Sequence, residues 1–189
     1  MAVYAAESSR LYLQTLSIDD HLESYHRLAS NDASMMWSMR KPDISIAESL
    51  QTMRKHLPTP EQPWNERWAI MLKGEMEGVK PKMIGVVGIV REVEIGYRLL
   101  PDYWGKGYMS EALTMFLAMW WDLDVSQKYM RLIAAADPEN LGSTRILVKH
   151  GFIKGELKKA FYARAYLGGE VKSDLQYFYL DRPVLTEKV

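Results

Sequence analysis

The sequence predicts an α/β (α+β) protein with one mixed, mostly antiparallel central sheet of about seven strands and helices on both faces. Three observations point to this class. Segments with the alternation of a strand recur along the chain, amphipathic helical segments separate them, and three strands follow one another through short connections. The resulting order, β-α-α-β-β-β-α-β-α-β-β, is typical of a sheet covered by helices on both sides.

The first strand and two helices come from the first 56 residues. Residues 10–14 (RLYLQ) alternate polar and apolar side chains, as a half-buried strand does. Ser17 then begins a helix that runs to about residue 29, because an acidic pair follows it and favours the positive end of the helix dipole. A second helix is expected from about residue 45 to 56, ahead of Pro58. The irregular stretch between the helices carries Trp37, which either lines a pocket or fills the underside of the core.

The middle of the chain supplies three consecutive strands. Prolines 58, 60 and 63 exclude a helix interior or a central strand, so this stretch is a loop that leads into the sheet. Residues 67–73 and 82–90 are strand-like and are joined by GEMEGVKP, a flexible hairpin connection. A strand at 93–100 follows almost at once, so the three should be antiparallel neighbours.

The remaining elements alternate between helix and strand. A glycine-containing motif leads into a helix that ends near Asp122. A strand at 129–136, a helix at about 141–150, and strands at about 155–165 and 173–180 complete the order.

Composition limits the possible functions. The length of 189 residues fits a single domain spanning 1–189, and 24 basic and 24 acidic side chains give no reason to expect nucleic acid as a partner. No apolar run reaches the 18 or so residues that span a bilayer, so we expect no membrane segment. Cysteine is absent, which favours a cytoplasmic setting without excluding the nucleus. The four histidines lack metal-site spacing, so no metal is expected.

The stretch 104–109 (WGKGYM), directly before a helix, is a candidate anion site. The first turn of a helix has unpaired N–H groups and a partial positive charge, and glycine lets a phosphate approach the backbone. Gly105 and Gly107 fit this role, with Lys106 between them. The string does not match the P-loop, the dinucleotide fingerprint or the kinase glycine loop. From the residues alone it is either a phosphate loop or a tight turn.

A second helix start lies in DPENLGSTRILVKHGF. Asn140 and Ser143 have N-x-x-S spacing there, and Gly151 follows the helix. Asn140 is a sound N-cap and Gly151 a sound residue just after a helix C-terminus, and both explanations require no ligand.

Together, the two segments resemble the GNAT (GCN5-related N-acetyltransferase) superfamily, and within it the RimJ/RimL-like branch. EIGYRLLPDYWGKGYMSEAL and DPENLGSTRILVKHGF carry the resemblance, and RLYLQTLSIDD resembles the first strand and helix of that branch. The motifs cover about half the chain, and the predicted element order agrees with the family over nearly all of it. The resemblance implies the GNAT fold.

The resemblance implies acetyl-CoA as cofactor. Trp104 to Met109 would form the pyrophosphate loop, including Lys106, with backbone N–H groups pointing to the phosphates from Gly105, Gly107, Tyr108 and Met109. The backbone of Leu99 and Leu100 would pair with the pantetheine arm, and Asn140 and Ser143 would lie beside the arm and the thiol. The family usually has Gln or Arg in place of Trp104 and Gly or Ala in place of Met109.

Acetyl transfer to an amine needs a neutral nitrogen, a site for the oxyanion and a proton for the thiolate. Glu94 is the candidate base, and the alternative is a structural carboxylate paired with Arg91 or Arg98. Ser143 is the candidate to protonate or hydrogen-bond the thiolate, and the alternative is a helix-start role only. Tyr162 and Tyr166 are reserve acids.

The acceptor is left open by the sequence. A primary amine is expected, either a protein or peptide N-terminus or a small molecule, bound by a monomer or a homodimer. Selection would lie with aromatic residues that are equally well explained as core, namely Trp37, Trp64, Trp68 and the stretch 161–166. The alternative function is a non-catalytic acyl-CoA-binding module.

Overall fold

The computed structural model describes residues 3–74, 76, 78–168 and 172–183. Within this part of the chain, eight strands form one sheet in the order β1-β2-β3-β4-β5-β6-β8-β7. The strands are β1 (Ala6–Glu7), β2 (Leu11–Thr15), β3 (Arg67–Leu72), β4 (Lys82–Arg91), β5 (Glu94–Leu99), β6 (Arg131–Ala136), β7 (Ile153–Ala163) and β8 (Lys172–Asp181). The predicted α/β class with helices on both faces is confirmed.

The strand count differs from the predicted seven because of β1. This strand has two residues, which pair with Leu13 and Tyr12 of β2. Two residues are too few to produce an alternation pattern, so sequence reasoning missed it. The other predicted strand boundaries differ from the observed ones by at most two residues.

The described residues also form five α-helices: α1 (Ile18–Ala29), α2 (Asp32–Met35), α3 (Ile46–Lys55), α4 (Tyr108–Asp122) and α5 (Leu141–Lys149). The predicted start of α1 is confirmed, because the Ser17 side chain accepts a hydrogen bond from the backbone N–H of Asp20. The short helix α2 lies in the stretch predicted as irregular, and the Asn31 side chain caps it.

Two apolar clusters cover the two faces of the sheet. One face packs α4, with Phe116 and Trp120, against Trp68 and Ile84. The other face packs α1 and α3 against side chains of β3 and β4, among them Ala69 and Val86. Side chains that alternate along β3 and β5 therefore reach different helices, and this decides where each polar residue of these strands points.

The sheet is antiparallel except where β5 meets β6. That parallel pairing comprises Glu94 with Ile133 and Ile95 with Ala134. The connection between these strands contains α4, as parallel strands require. No helix in the described part of the chain is long and apolar enough to cross a membrane.

Candidate active site

The site lies at the carboxyl ends of β5 and β6. Their ladder stops after two residue pairs, although β5 continues to Leu99 and β6 to Ala136. Helix α4 follows β5, and α5 follows β6, so the N-termini of both helices lie at the same end of the sheet. Parallel strands that end beside two helix N-termini form a crevice suited to an anionic ligand.

The loop before α4 has the backbone conformation that an anion site needs. Gly105 and Gly107 have φ values of 72° and 79°, in the left-handed region that favours glycine. Gly107 is the N-cap of α4, and it has no side chain to accept hydrogen bonds from the first turn. The N–H groups of that turn therefore have no side-chain cap.

Two bulky side chains of the loop, those of Met109 and Trp104, are engaged elsewhere. Met109 is buried in the core. The bulk that distinguishes it from the family pattern thus lies inside the protein. Trp104 is 45% exposed, and its indole Nε1 donates to the carbonyl of Leu99 at 3.0 Å. This bond fixes the loop to the end of β5.

The predicted pantetheine contact has fewer free backbone groups than the sequence suggested. The Leu99 carbonyl also accepts a hydrogen bond from Ser34 Oγ at 3.2 Å. The N–H of Leu100 donates to the Ile84 carbonyl at 2.9 Å, within the sheet. Because neighbouring residues of a strand point their N–H groups in opposite directions, the N–H of Leu99 faces away from β4, toward the crevice. It is the backbone group available there.

Arg10 supports the loop, and sequence reasoning missed it. Its Nη1 donates to the Lys106 carbonyl at 3.1 Å, and its guanidinium lies 4.5 Å from the centre of the Tyr108 ring. Its Nε donates to Glu111, in the first turn of α4, at 2.7 Å, and Ser8 Oγ donates to the same carboxylate at 2.6 Å. An acidic residue in the first helical turn was the available signal, but its partner lies about a hundred residues away.

At the start of α5, two separate groups of Ser143 are used. The predicted N-cap is confirmed, because Asn140 Oδ1 accepts from the backbone N–H of Ser143 at 3.1 Å. Ser143 Oγ is hydrogen-bonded to the hydroxyl of Tyr97 at 2.8 Å. Burial raises the pKa of Tyr97 to about 12, although the bond to Ser143 acts in the opposite direction. Tyr97 was not singled out from the sequence, although it lies within the EIGY string.

Glu94, the candidate base, is engaged with Arg91. Arg91 Nε donates to Glu94 Oε2 at 2.9 Å, and Arg91 Nη2 donates to Oε1 at 2.5 Å. Both carboxylate oxygens are therefore held by the guanidinium of Arg91. This is one of the two pairings that the sequence left open, and a role as base stays a prediction.

The candidate acid Tyr162 is also engaged. Its hydroxyl donates to Asp137 Oδ2 at 2.8 Å, and both side chains are buried. Burial raises the pKa of Tyr162, and the hydrogen bond to Asp137 raises it further. This geometry disfavours Tyr162 as a proton donor. Tyr166, the other reserve acid, is 60% exposed.

The aromatic residues divide between core and surface. Trp68 is core, 5.6 Å from the Phe116 ring, and Trp64 packs partly buried against the same cluster. Trp37 lies at the start of the α2–α3 connection, with the Arg164 guanidinium 4.8 Å from its ring centre. Phe161 and Tyr166 are exposed. Of the predicted selectivity residues, Trp37, Phe161 and Tyr166 remain candidates to touch an acceptor.

A family model and a curated relative match the chain. Residues 10–153 match the model described as an acetyltransferase (GNAT) domain. The chain is also similar to the uncharacterized N-acetyltransferase YoaA of Bacillus subtilis (strain 168). The two are 26% identical over 164 residues, covering 82% of this chain and 87% of the relative.

Solved structures share the fold. A spermidine N-acetyltransferase from Vibrio cholerae, in complex with CoA and spermine, has a TM-score of 0.72 at 17% identity, covering 92% of this chain and 96% of its own. RimL, a ribosomal L7/L12 alpha-N-protein acetyltransferase in complex with coenzyme A, has a TM-score of 0.77 at 16% identity, covering 95% and 98%. At these identities the similarity establishes the arrangement of strands and helices.

Proposed function

Since the chain belongs to the GNAT acetyltransferase family, as its RimJ/RimL-like motifs predicted, we propose that it transfers an acetyl group from acetyl-CoA to a primary amine. The acceptor is the N-terminal α-amine of a protein or peptide, or a small-molecule amine. One observation carries the proposal: the glycine loop leaves the first turn of α4 without a side-chain cap where β5 and β6 diverge.

The residues at this end of the sheet fit the cofactor. Backbone N–H groups from Gly105 to Met109 suit a pyrophosphate, and the N–H of Leu99 suits an amide of the pantetheine arm. Lys106 is an exposed residue of the loop and adds positive charge. The CoA complexes of the spermidine acetyltransferase and RimL, which share the fold, support this assignment.

The reaction forms one bond and breaks one. The amine nitrogen attacks the thioester carbonyl, a C–N bond forms, the C–S bond breaks, and the nitrogen loses a proton while the thiolate gains one. An α-amine with a pKa near 8 costs about 1.4 kcal/mol to deprotonate at pH 7, and a lysine-like amine costs about 4.6 kcal/mol. The α-amine class therefore needs little help from a base such as Glu94.

The Ser143–Tyr97 pair suits the departing thiolate. Ser143 Oγ can donate to sulfur while the Tyr97 hydroxyl donates to Ser143 Oγ. The raised pKa of Tyr97 keeps that hydroxyl protonated at neutral pH, so it can donate a hydrogen bond to Ser143 throughout the reaction. We keep Ser143 as the residue that contacts the thiolate and add Tyr97 as the residue that positions it.

A non-catalytic acyl-CoA-binding module is the second candidate. It is favoured by one observation, that Glu94 and Tyr162 are both held by neighbouring side chains. For both candidate functions we propose a cytoplasmic location, because a chain without cysteine is compatible with a reducing compartment.

Thiol release from acetyl-CoA, measured across a panel of amines and N-terminal peptides, separates the two candidates. The enzyme proposal predicts release that depends on at least one acceptor class. Tight CoA binding without release on any acceptor would support the binding module. Tighter binding of ATP or NAD than of CoA would contradict the assignment of the loop.

A further inference from the structure

Two arginines of the sheet project toward α1 and α3, on the side opposite α4. Residues two apart on a strand share a face of the sheet. Arg67 lies two residues before Ala69, and Arg98 two residues before Leu100, and both of these apolar residues pack in the cluster under α1 and α3. Register places them on either side of β4, with Arg67 opposite Gly88 and Arg98 opposite Val86. Both side chains are partly buried.

These arginines have no carboxylate of their own. Asp43 is the carboxylate whose charge acts on Arg98, and it is 4% exposed. It already accepts from Arg40 Nη1 at 2.5 Å and from Ser49 Oγ at 2.7 Å. Across the residues that the structure describes, Arg67 and Arg98 make no ion pair, and Arg67 Nε is buried without a hydrogen-bond partner.

The pKa values of Arg67 and Arg98 are consistent with this lack of paired carboxylates. Burial lowers the pKa of Arg67 to about 10, with Tyr25 opposing and the charges of Arg98 and Arg40 adding to the effect. Burial likewise lowers the pKa of Arg98. The charges of Arg98 and Arg40 thus add to the effect of burial on Arg67, and Asp43, the carboxylate that acts on Arg98, is already engaged by Arg40. Such a group of arginines is costly to desolvate unless an anion pairs with it.

Arg98 lies on the face of β5 that also carries Glu94, the candidate base. Glu94, Gly96 and Arg98 share one face of β5, and Arg98 directly precedes Leu99, whose N–H faces the crevice. At about 3.3 Å per residue, the Cα atoms of Glu94 and Arg98 each lie about 7 Å from that of Gly96. A polar pocket of about 280 Å³ has Arg40, Asp43 and Thr52 in its lining, so the group opens to solvent at Arg40, while Arg67 and Arg98 lie outside this lining.

We propose that the acceptor is a small amine that also carries a carboxylate or a phosphate, and that Arg67 and Arg98 bind this anionic group. The inference rests on the proposed acetyl transfer. Guanidinium forks match both oxyanions. The same charges repel ammonium groups, so polyamines are poor acceptors here, in contrast to the spermidine acetyltransferase that shares the fold.

Matched amines test the proposal. We compare O-phosphoethanolamine with ethanolamine and β-alanine with β-alaninamide, and include spermidine as a cationic acceptor. The expected kcat/KM is about tenfold or more higher for the anionic member of at least one pair. Arg67→Gln and Arg98→Gln should each remove most of that advantage, so that the anionic member of the pair is turned over no faster than its uncharged partner. Arg27→Gln, an exposed arginine on α1, is the matched control. The proposal would be overturned if ethanolamine, β-alaninamide or spermidine were acetylated as efficiently as the anionic amines.

Direct binding separates this inference from the proposed function. Calorimetry of O-phosphoethanolamine and β-alanine is performed on the protein saturated with CoA, where no turnover occurs. Binding that Arg98→Gln abolishes and Arg27→Gln preserves supports the anion site even if no amine is acetylated. Turnover of neutral amines without binding of either anion refutes the anion site and leaves acetyl transfer standing. Equal melting temperatures of Arg98→Gln and the wild-type protein, or a higher one for the variant, show that loss of binding is not loss of fold.

Discussion

Ser143 serves the helix and the predicted thiolate with different atoms. Its backbone N–H satisfies the Asn140 cap, and its hydroxyl is free to bond Tyr97. The two explanations that the sequence left open are therefore compatible, and a side-chain substitution separates them because it leaves the N–H in place.

We predict that Ser143→Ala and Tyr97→Phe each lower kcat by about tenfold or more, since each removes a donor from the thiolate relay. The KM for acetyl-CoA should change little. Steady-state kinetics on one acceptor measures this, and Thr144→Ala, the partly buried neighbour on α5, is the control. A normal kcat in Ser143→Ala would remove Ser143 from catalysis.

Glu94 can be tested through pH. If it accepts the proton of the amine, Glu94→Gln should lower kcat/KM chiefly below pH 8, where the amine is protonated. Arg91→Gln should also change the profile, because it frees both carboxylate oxygens. Glu92→Gln, an exposed carboxylate in the same turn, is the control. Identical pH profiles in Glu94→Gln and wild type would show that Glu94 is structural.

At the scale of elements, the glycine loop and the first turn of α4 form one unit. We predict that Gly107→Trp weakens CoA binding at least about a hundredfold, because a side chain would occupy the phosphate path and strain the left-handed backbone. Gly168→Ala is the matched control, since Gly168 has a φ of 75° and lies outside the loop. Calorimetry with CoA measures both. Unaltered binding in Gly107→Trp would contradict the loop assignment.

The link from Ser8 and Arg10 to α4 should make stability depend on pH. Burial acts to raise the pKa of Glu111, but hydrogen bonds from Ser8 and Arg10 and the charge of Arg10 outweigh it, so the pKa is lowered. A carboxyl with a lowered folded pKa contributes stability above its unfolded value, near 4.3, and loses it as pH falls through the folded value.

We therefore predict that Glu111→Gln destabilises the protein by about 1 kcal/mol at pH 7. The difference from wild type should shrink as pH falls from about 5 to 3. Denaturant unfolding of both proteins across this range is the measurement. A difference that persists unchanged at pH 3 would show that the Glu111 charge is not responsible.

Over the whole molecule, local sequence patterns predicted the fold, but they did not predict contacts between residues that are distant in sequence. Alternation and capping residues located seven strands and the longer helices, because those signals lie within a few residues. The same approach missed β1 and α2, which are too short to show a period.

The residues of the candidate site were likewise predicted where the signal is local and missed where the contact joins distant residues. Gly107 and Asn140 were found because a helix start has a local signature. The contacts of Arg10 with Glu111, of Tyr97 with Ser143, and the shared environment of Arg67 and Arg98 join residues distant in sequence. The packing of helices against the sheet brings the first two pairs together, and the register of the strands brings the two arginines together.

The central claim is acetyl transfer to an amine nitrogen. The most direct test incubates the protein with isotope-labelled acetyl-CoA and the amine panel, and identifies the labelled product by mass spectrometry. The prediction is label in an amide bond on the acceptor nitrogen, formed by wild-type protein and lost in Gly107→Trp. Bound acetyl-CoA whose label never reaches any acceptor would contradict it.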